Sequence, residues 1–184
     1  MSFFPIHLLQ KFLKKPKFLS ILFVISSTHA LASHHLVGTW TTCHESNDEF
    51  HYEHVMEFDG KGKKYEVHAY RNASTTPCKG SIVLTVGRVW SYGVIMDEYT
   101  RILEKTFVSG SDPLVIEKFS KLKECNIQAW KLEKQFDCTI HSLSGFEEQP
   151  GFKSEHTFSR KADILTVTNS EKKTTNYKKI PKFE

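Results

Sequence analysis

The chain has 184 residues, with 25 Lys and Arg, 21 Asp and Glu, and 10 His. That length admits one domain, or one domain behind a targeting segment, and excludes a multidomain machine. The formal charge of +4 resides in the first 32 residues, which hold four lysines and no acid; the remaining 152 balance 21 basic against 21 acidic side chains. The balance argues against nucleic acid as a partner and against a polybasic hold on an anionic membrane.

Residues 1–32 have the parts of a secretory signal. Lys11, Lys14, Lys15 and Lys17 precede the apolar run Phe18 to Ile25, and Ala30-Leu31-Ala32 supplies small residues for cleavage. The run is too short to span a bilayer, and Ser33 follows the expected cut where a lipoprotein would have Cys. The mature chain, residues 33–184, is therefore expected to be soluble, without a stable membrane anchor, and secreted or periplasmic.

Downstream, the pattern is that of short strands. Gly38 to Cys43, with Trp40, reads as a first strand. Phe50, Tyr52, His54, Met56 and Phe58 then alternate with His51, Glu53 and Glu57, so the first set should face an interior. Asp59-Gly60-Lys61-Gly62 is turn chemistry. Its hairpin partner alternates Tyr65, Val67 and Ala69, of apolar character, with Lys64, Glu66 and His68. Arg71 to Gly80 reads as a loop, and Ser81 to Tyr92 as a long strand in which Gly87 is the cheapest place for a bulge or bend.

Tyr99 to Val108 is another strand. Asp112-Pro113 predicts a helix start, with Val115, Phe119, Leu122 and Asn126 on one side of about three turns. Ala129 to Cys138, Ser154 to Ser159 and Ile164 to Thr168 read as further strands. From about residue 170 the chain is polar and reads as a loose tail, although Tyr177 and Ile180 could add a closing edge.

Four cysteines, Cys43, Cys78, Cys125 and Cys138, all lie beyond the leader, where disulfides persist. Three connectivities are possible, and proximity favours Cys43–Cys78 with Cys125–Cys138. Zinc binding by these thiols is disfavoured because there is no Cys-x-x-Cys pair. The expected fold is all-β, an antiparallel barrel or sandwich with one short helix.

The stretch Leu36-Val37-Gly38-Thr39-Trp40 resembles the Gly-x-Trp opening of the lipocalin and calycin superfamily. Gly-Thr-Trp followed by Cys43, then Thr76-Pro77-Cys78 and the spacing of Cys125, Trp130 and Cys138, is similar to small secreted lipocalin-like domains of bacteria. It is more distantly similar to the barrels of APCDD-type proteins. The resemblance implies a lipocalin-like β-barrel with an interior for a small hydrophobic ligand, and an arginine stacked over Trp40, a place that Arg160 would take. It brings no catalytic residue and no cofactor.

The candidate cavity is accordingly Trp40, Phe50, Tyr52, His54, Met56 and Phe58, with His54 as the polar contact that orients a ligand. No nucleophile elbow, phosphate loop or dinucleotide fingerprint is present, and a non-enzymatic binder of a lipid or fatty-acyl type molecule is the first expectation. Two alternatives accompany it. A mature terminus Ser33-His34-His35 would offer an amine, amide nitrogens and imidazole to Cu(II) or Ni(II). A barrel filled by its own side chains would instead serve as an interaction or inhibitor scaffold, whose protein partner is not named by the sequence. Two smaller readings are a metal held by His51 and His68 across the hairpin, and a glycosylation sequon at Asn72. Trp90, Tyr92, Phe107 and Trp130 read as core.

Overall fold

The computed structural model describes residues 35–46, 50–141 and 143–181. The signal-peptide reading of residues 1–32 and the residues Ser33 and His34 of the terminal metal motif lie outside them; His35 is exposed.

Eight antiparallel strands close into one barrel. β1 (Gly38–Ser46), β2 (Phe50–Phe58), β3 (Lys63–Asn72), β4 (Ile82–Ile95) and β5 (Glu98–Gly110) follow one another around the wall. A two-residue strand, β6 (Phe136–Asp137), lies against Phe107 and Val108 of β5. The wall continues from the first half of β5 into β7 (Lys153–Lys161), β8 (Ile164–Asn169) and β9 (Thr174–Ile180), and β9 pairs back onto β1. This order is compatible with a lipocalin-like fold. The polar stretch from residue 170 is thus no loose tail: it holds the strand that closes the barrel. Closure leaves Lys, Thr and Asn on the outer face, which is why the stretch reads as polar, and Tyr177 and Ile180 supply the closing edge that the sequence allowed.

Two apolar layers sit at the ends of the barrel. At the base, Leu36, Trp40, Met56, Phe58, Tyr99, Phe158 and Leu165 pack together. Trp40 is fully buried, its indole N–H donates to the Leu36 carbonyl at 2.7 Å, and the Arg160 guanidinium lies 5.3 Å from its ring centroid. Arg160 therefore takes the position over the tryptophan that the lipocalin resemblance implies, with Lys179 also near the ring at 5.9 Å.

At the opposite end, Val86 and Val108 pack against Cys125, Trp130, Cys138 and Leu143. This plug is built from the segment after β5. Helix α1 (Pro113–Leu122) begins with Asp112 Oδ1 accepting from the Leu114 amide and Pro113 in the first turn. It ends at Lys123 in the left-handed conformation, so Asn126 falls in a following 3-10 turn rather than on the helix.

The two disulfides are Cys43–Cys78 and Cys125–Cys138. The first ties β1 to the β3–β4 loop, and the second fastens the plug to itself.

Three expectations need correction. Ala129 to Cys138 is mostly irregular, with only Phe136–Asp137 in a strand, because the Cys125–Cys138 bridge and the Trp130 anchor hold this segment as part of the plug. Gly87 is a regular ladder residue opposite Val67 and Phe107, and the β4–β5 register shifts at Val89 and Trp90 instead. In β3, Lys64, Glu66 and His68 face inward and are buried, while Tyr65 and Val67 are 44% and 36% exposed. The cause is the turn. Asp59 pairs with Lys63 through its backbone N–H, and its carboxylate accepts from the amides of Lys61 and Lys63. The connection is therefore the three residues Gly60 to Gly62, both glycines at positive φ, and the even-numbered residues of β3 lie opposite the inward residues of β2.

Candidate functional site

Between the two apolar layers lies a layer of charge. The β2–β3 register sets His54 opposite His68 and Met56 opposite Glu66, and the β3–β4 register sets Glu66 opposite Arg88. Because directly opposed residues share a face, all of these point into the lumen, where Arg101, Tyr99 and His156 of β5 and β7 join them.

Glu66 is the centre. Its carboxylate is 97% buried; Arg101 Nη1 donates to both oxygens, at 3.0 Å to Oε2 and 3.2 Å to Oε1, and Lys64 Nζ stands 3.4 Å from Oε1. His54 Nε2 is 2.7 Å and His68 Nε2 3.6 Å from the same Oε1. Burial opposes ionisation, yet Lys64 and Arg101 outweigh it and hold the Glu66 carboxyl well below the usual carboxylate range.

The partners feel the reverse. Burial pushes Lys64 down to about 7, with Glu66 pulling upward and Arg101 repelling. Phe58, Trp90 and Tyr99 ring the ammonium at 5.7 to 6.0 Å, and the Arg101 guanidinium lies 4.0 Å from the Trp90 centroid. Burial lowers His54 to about 4, although Glu66 favours its charged form. Burial, reinforced by Arg101 and Lys64, lowers His156 to about 3. These imidazoles are neutral at pH 7.

Two tyrosines orient the paired histidines. The Tyr177 hydroxyl is 3.0 Å from His54 Nδ1, and the Tyr52 hydroxyl contacts His68 Nδ1. Burial raises both phenols, so they stay protonated. The two imidazoles stack with centroids 4.3 Å apart, and neither Nε2 makes a well-aligned hydrogen bond. His54, Glu66 and His68 thus present three potential ligand atoms within 4.8 Å of one another.

A cavity of about 210 Å³ adjoins this cluster. Met56, Val167 and Tyr99 give it an apolar side; His54, Lys64, Glu66, Arg101 and His156 give it a polar one, and its lining extends to Lys173 in the exposed β8–β9 turn. Above the layer, Arg88 is clamped by Glu148 at 2.6 Å and lies 4.6 Å from the Phe146 ring.

Of the residues expected to line a cavity, His54 and Met56 do so. Trp40 and Phe58 are packed within the base, and Tyr52 is engaged with His68 and stacked near Tyr70 and His44. Phe50 opens β2. His51 and His68 do not meet: His51 accepts from the Cys78 amide at 3.1 Å on the other face of the sheet. Lys64, Glu66, Arg101 and His156 are site residues that hydropathy did not reveal. The parity of the Gly60 to Gly62 turn was the signal for the first two. Trp90 and Trp130 are core, and Asn72 is exposed at the end of β3.

Among the described residues, no helix is long and apolar enough to cross a membrane. Structural disulfides suit an oxidising extracellular or periplasmic location. In comparisons with known proteins, no family model and no curated protein matches the chain.

Proposed function

We propose that this protein is an exported, non-enzymatic barrel that binds a small carboxylic acid with a short apolar body inside its lumen. One observation carries the reading: the cavity of about 210 Å³ sets two cationic side chains, Lys64 and Arg101, against one carboxylate, Glu66, beside an apolar wall of Met56 and Val167. Arg101 commits Nη1 to Glu66 and Nε to Ser154, so below about pH 7, where Lys64 is charged, the two cations leave one positive charge unbalanced in a low-dielectric interior, and that surplus favours an anion. The volume corresponds to about seven water molecules at ~30 Å³ each. It is below the roughly 300 Å³ at which drug-sized sites begin, so the ligand is a compact relative of the fatty-acyl class, not a membrane-length chain.

Calorimetric titration of chelator-treated protein with hexanoate, hexanol and palmitate tests this. Hexanoate should bind saturably, hexanol at least tenfold more weakly, and Arg101→Gln should lose hexanoate binding while keeping its near-UV circular dichroism. Equal affinity for the alcohol would remove the charge argument. No saturable binding of any of the three would leave a barrel filled by its own side chains, acting as an interaction scaffold.

A further inference from the structure

We infer that His54, Glu66 and His68 form a site for a divalent transition-metal ion of the zinc class, buried in the barrel. The inference goes beyond the carboxylate reading and does not require it. Two imidazole nitrogens and a carboxylate oxygen converge from adjacent strands: His54 Nε2 and His68 Nε2 stand 2.7 and 3.6 Å from Glu66 Oε1, and all three atoms lie within 4.8 Å. Ligands at ~2.1 Å around a tetrahedral ion are about 3.4 Å apart. His68 is already near that separation, and His54 reaches it by a small rotation.

The outer contacts point the same way. A metal-bound imidazole usually directs its second nitrogen to a fixed partner, which sets the tautomer. Here each Nδ1 meets a tyrosine hydroxyl, Tyr177 for His54 and Tyr52 for His68, and the phenol oxygen can accept the ring N–H. In that tautomer, which an ion between the imidazoles and Glu66 would select, both Nε2 lone pairs are free to bind it. A purely structural polar network would give each buried Nε2 an aligned partner; His68 Nε2 has none, and His54 Nε2 has only the Glu66 carboxylate at 2.7 Å, with its side chain 91% buried.

The cations beside Glu66 are the obstacle, and geometry limits it. Arg101 makes its shorter bond to Oε2 and can stay there, while Lys64 holds Oε1 only at 3.4 Å, beyond a good hydrogen bond. The ion takes that place on Oε1. Its fourth position faces the cavity, open to water or to an anionic ligand.

Cobalt(II) added to the chelator-stripped, disulfide-bonded protein, in the absence of any carboxylic acid, should give one equivalent of tetrahedral visible absorption. Zinc(II) should displace it. His68→Gln should lower zinc affinity at least tenfold, while His35→Ala leaves it unchanged. Absence of the cobalt bands at micromolar protein, or equal zinc binding by folded His68→Gln, overturns the site. If that variant does not fold, imidazole NMR on the wild-type protein decides: zinc-induced shifts centred on His54 and His68 support the site, and shifts centred on other histidines overturn it. Hexanoate titration of the stripped protein reports separately, so failure of the metal site leaves the carboxylate reading standing.

Discussion

Glu66 shows how much one side chain can demand of its surroundings. An ionised carboxylate in the centre of a barrel is tolerated only because Lys64 and Arg101 lie against it. Removing it strands two buried cations. We expect Glu66→Ala to cost about 3 to 5 kcal/mol in denaturant-induced unfolding, far more than a surface carboxylate such as Glu171 in its exposed pair with Lys173. His156, together with His54, makes stability depend on pH in the acid range. Its folded-state pKa, lowered to about 3 by burial and by the nearby cations, lies below the usual 6.5. As pH falls from about 6.5 toward 3, the unfolded chain takes up a proton that the native state refuses, so stability present above pH 6.5 is lost in that window. Thermal melting of wild type and His156→Phe between pH 7 and 3.5 should show a shallower decline in the variant, which keeps a ring against Tyr99. Parallel curves would remove His156 from the account.

Elements were legible wherever hydropathy alternated strongly, and β2 emerged with the bounds Phe50–Phe58. Orientation was less accessible. In β3 the apolar residues Tyr65 and Val67 face out and the charged ones face in, the inverse of the usual pattern, because the lumen itself is polar at this level. A period of two names two faces but not which is inside; the loop length does that, and a shift of one residue exchanges them. Tyr65→Ser combined with Val67→Thr should therefore change unfolding free energy by less than about 1 kcal/mol, within the range of ordinary surface substitutions. Deletion of Tyr65, which moves every later residue of β3 by one place against β2, should abolish the native near-UV circular dichroism by turning Glu66 and His68 outward. The plug was hidden for another reason. Its Trp130, Phe136 and Cys138 carry strand-like composition, yet they are anchored by a disulfide and by the Trp130 indole donating to the Glu124 carbonyl, long-range constraints that local pattern does not encode.

For the whole molecule, the even cysteine count and its pairing followed from sequence, as did the barrel, while the charged lumen did not. The two bridges act at opposite levels of organisation. Cys43–Cys78 closes 35 residues and Cys125–Cys138 closes 13, worth about 4 and 3 kcal/mol respectively in the chain-entropy account. Replacing Cys125 and Cys138 by Ser should lower unfolding free energy by about 3 kcal/mol and raise proteolysis within 124–146, with β1 to β5 retained. Uniform destabilisation without local cleavage would show that the plug and the wall unfold as one.

The seam between β1 and β9 has a consequence for how the chain is made. Thr39 to Thr41 can find their outer partner only in Lys178 to Ile180, so a chain leaving a ribosome or a translocation channel amino end first exposes two unpaired sheet edges until its last stave arrives. During that interval β1 and β8 are templates for neighbouring chains. A protein cut after Lys173 is frozen at that stage, and size-exclusion chromatography should find it as larger oligomers than the chain that keeps β9, or as aggregate. Addition in trans of a peptide spanning Thr174 to Ile180 should return part of it to the closed form, making the final stave a replaceable piece of the wall.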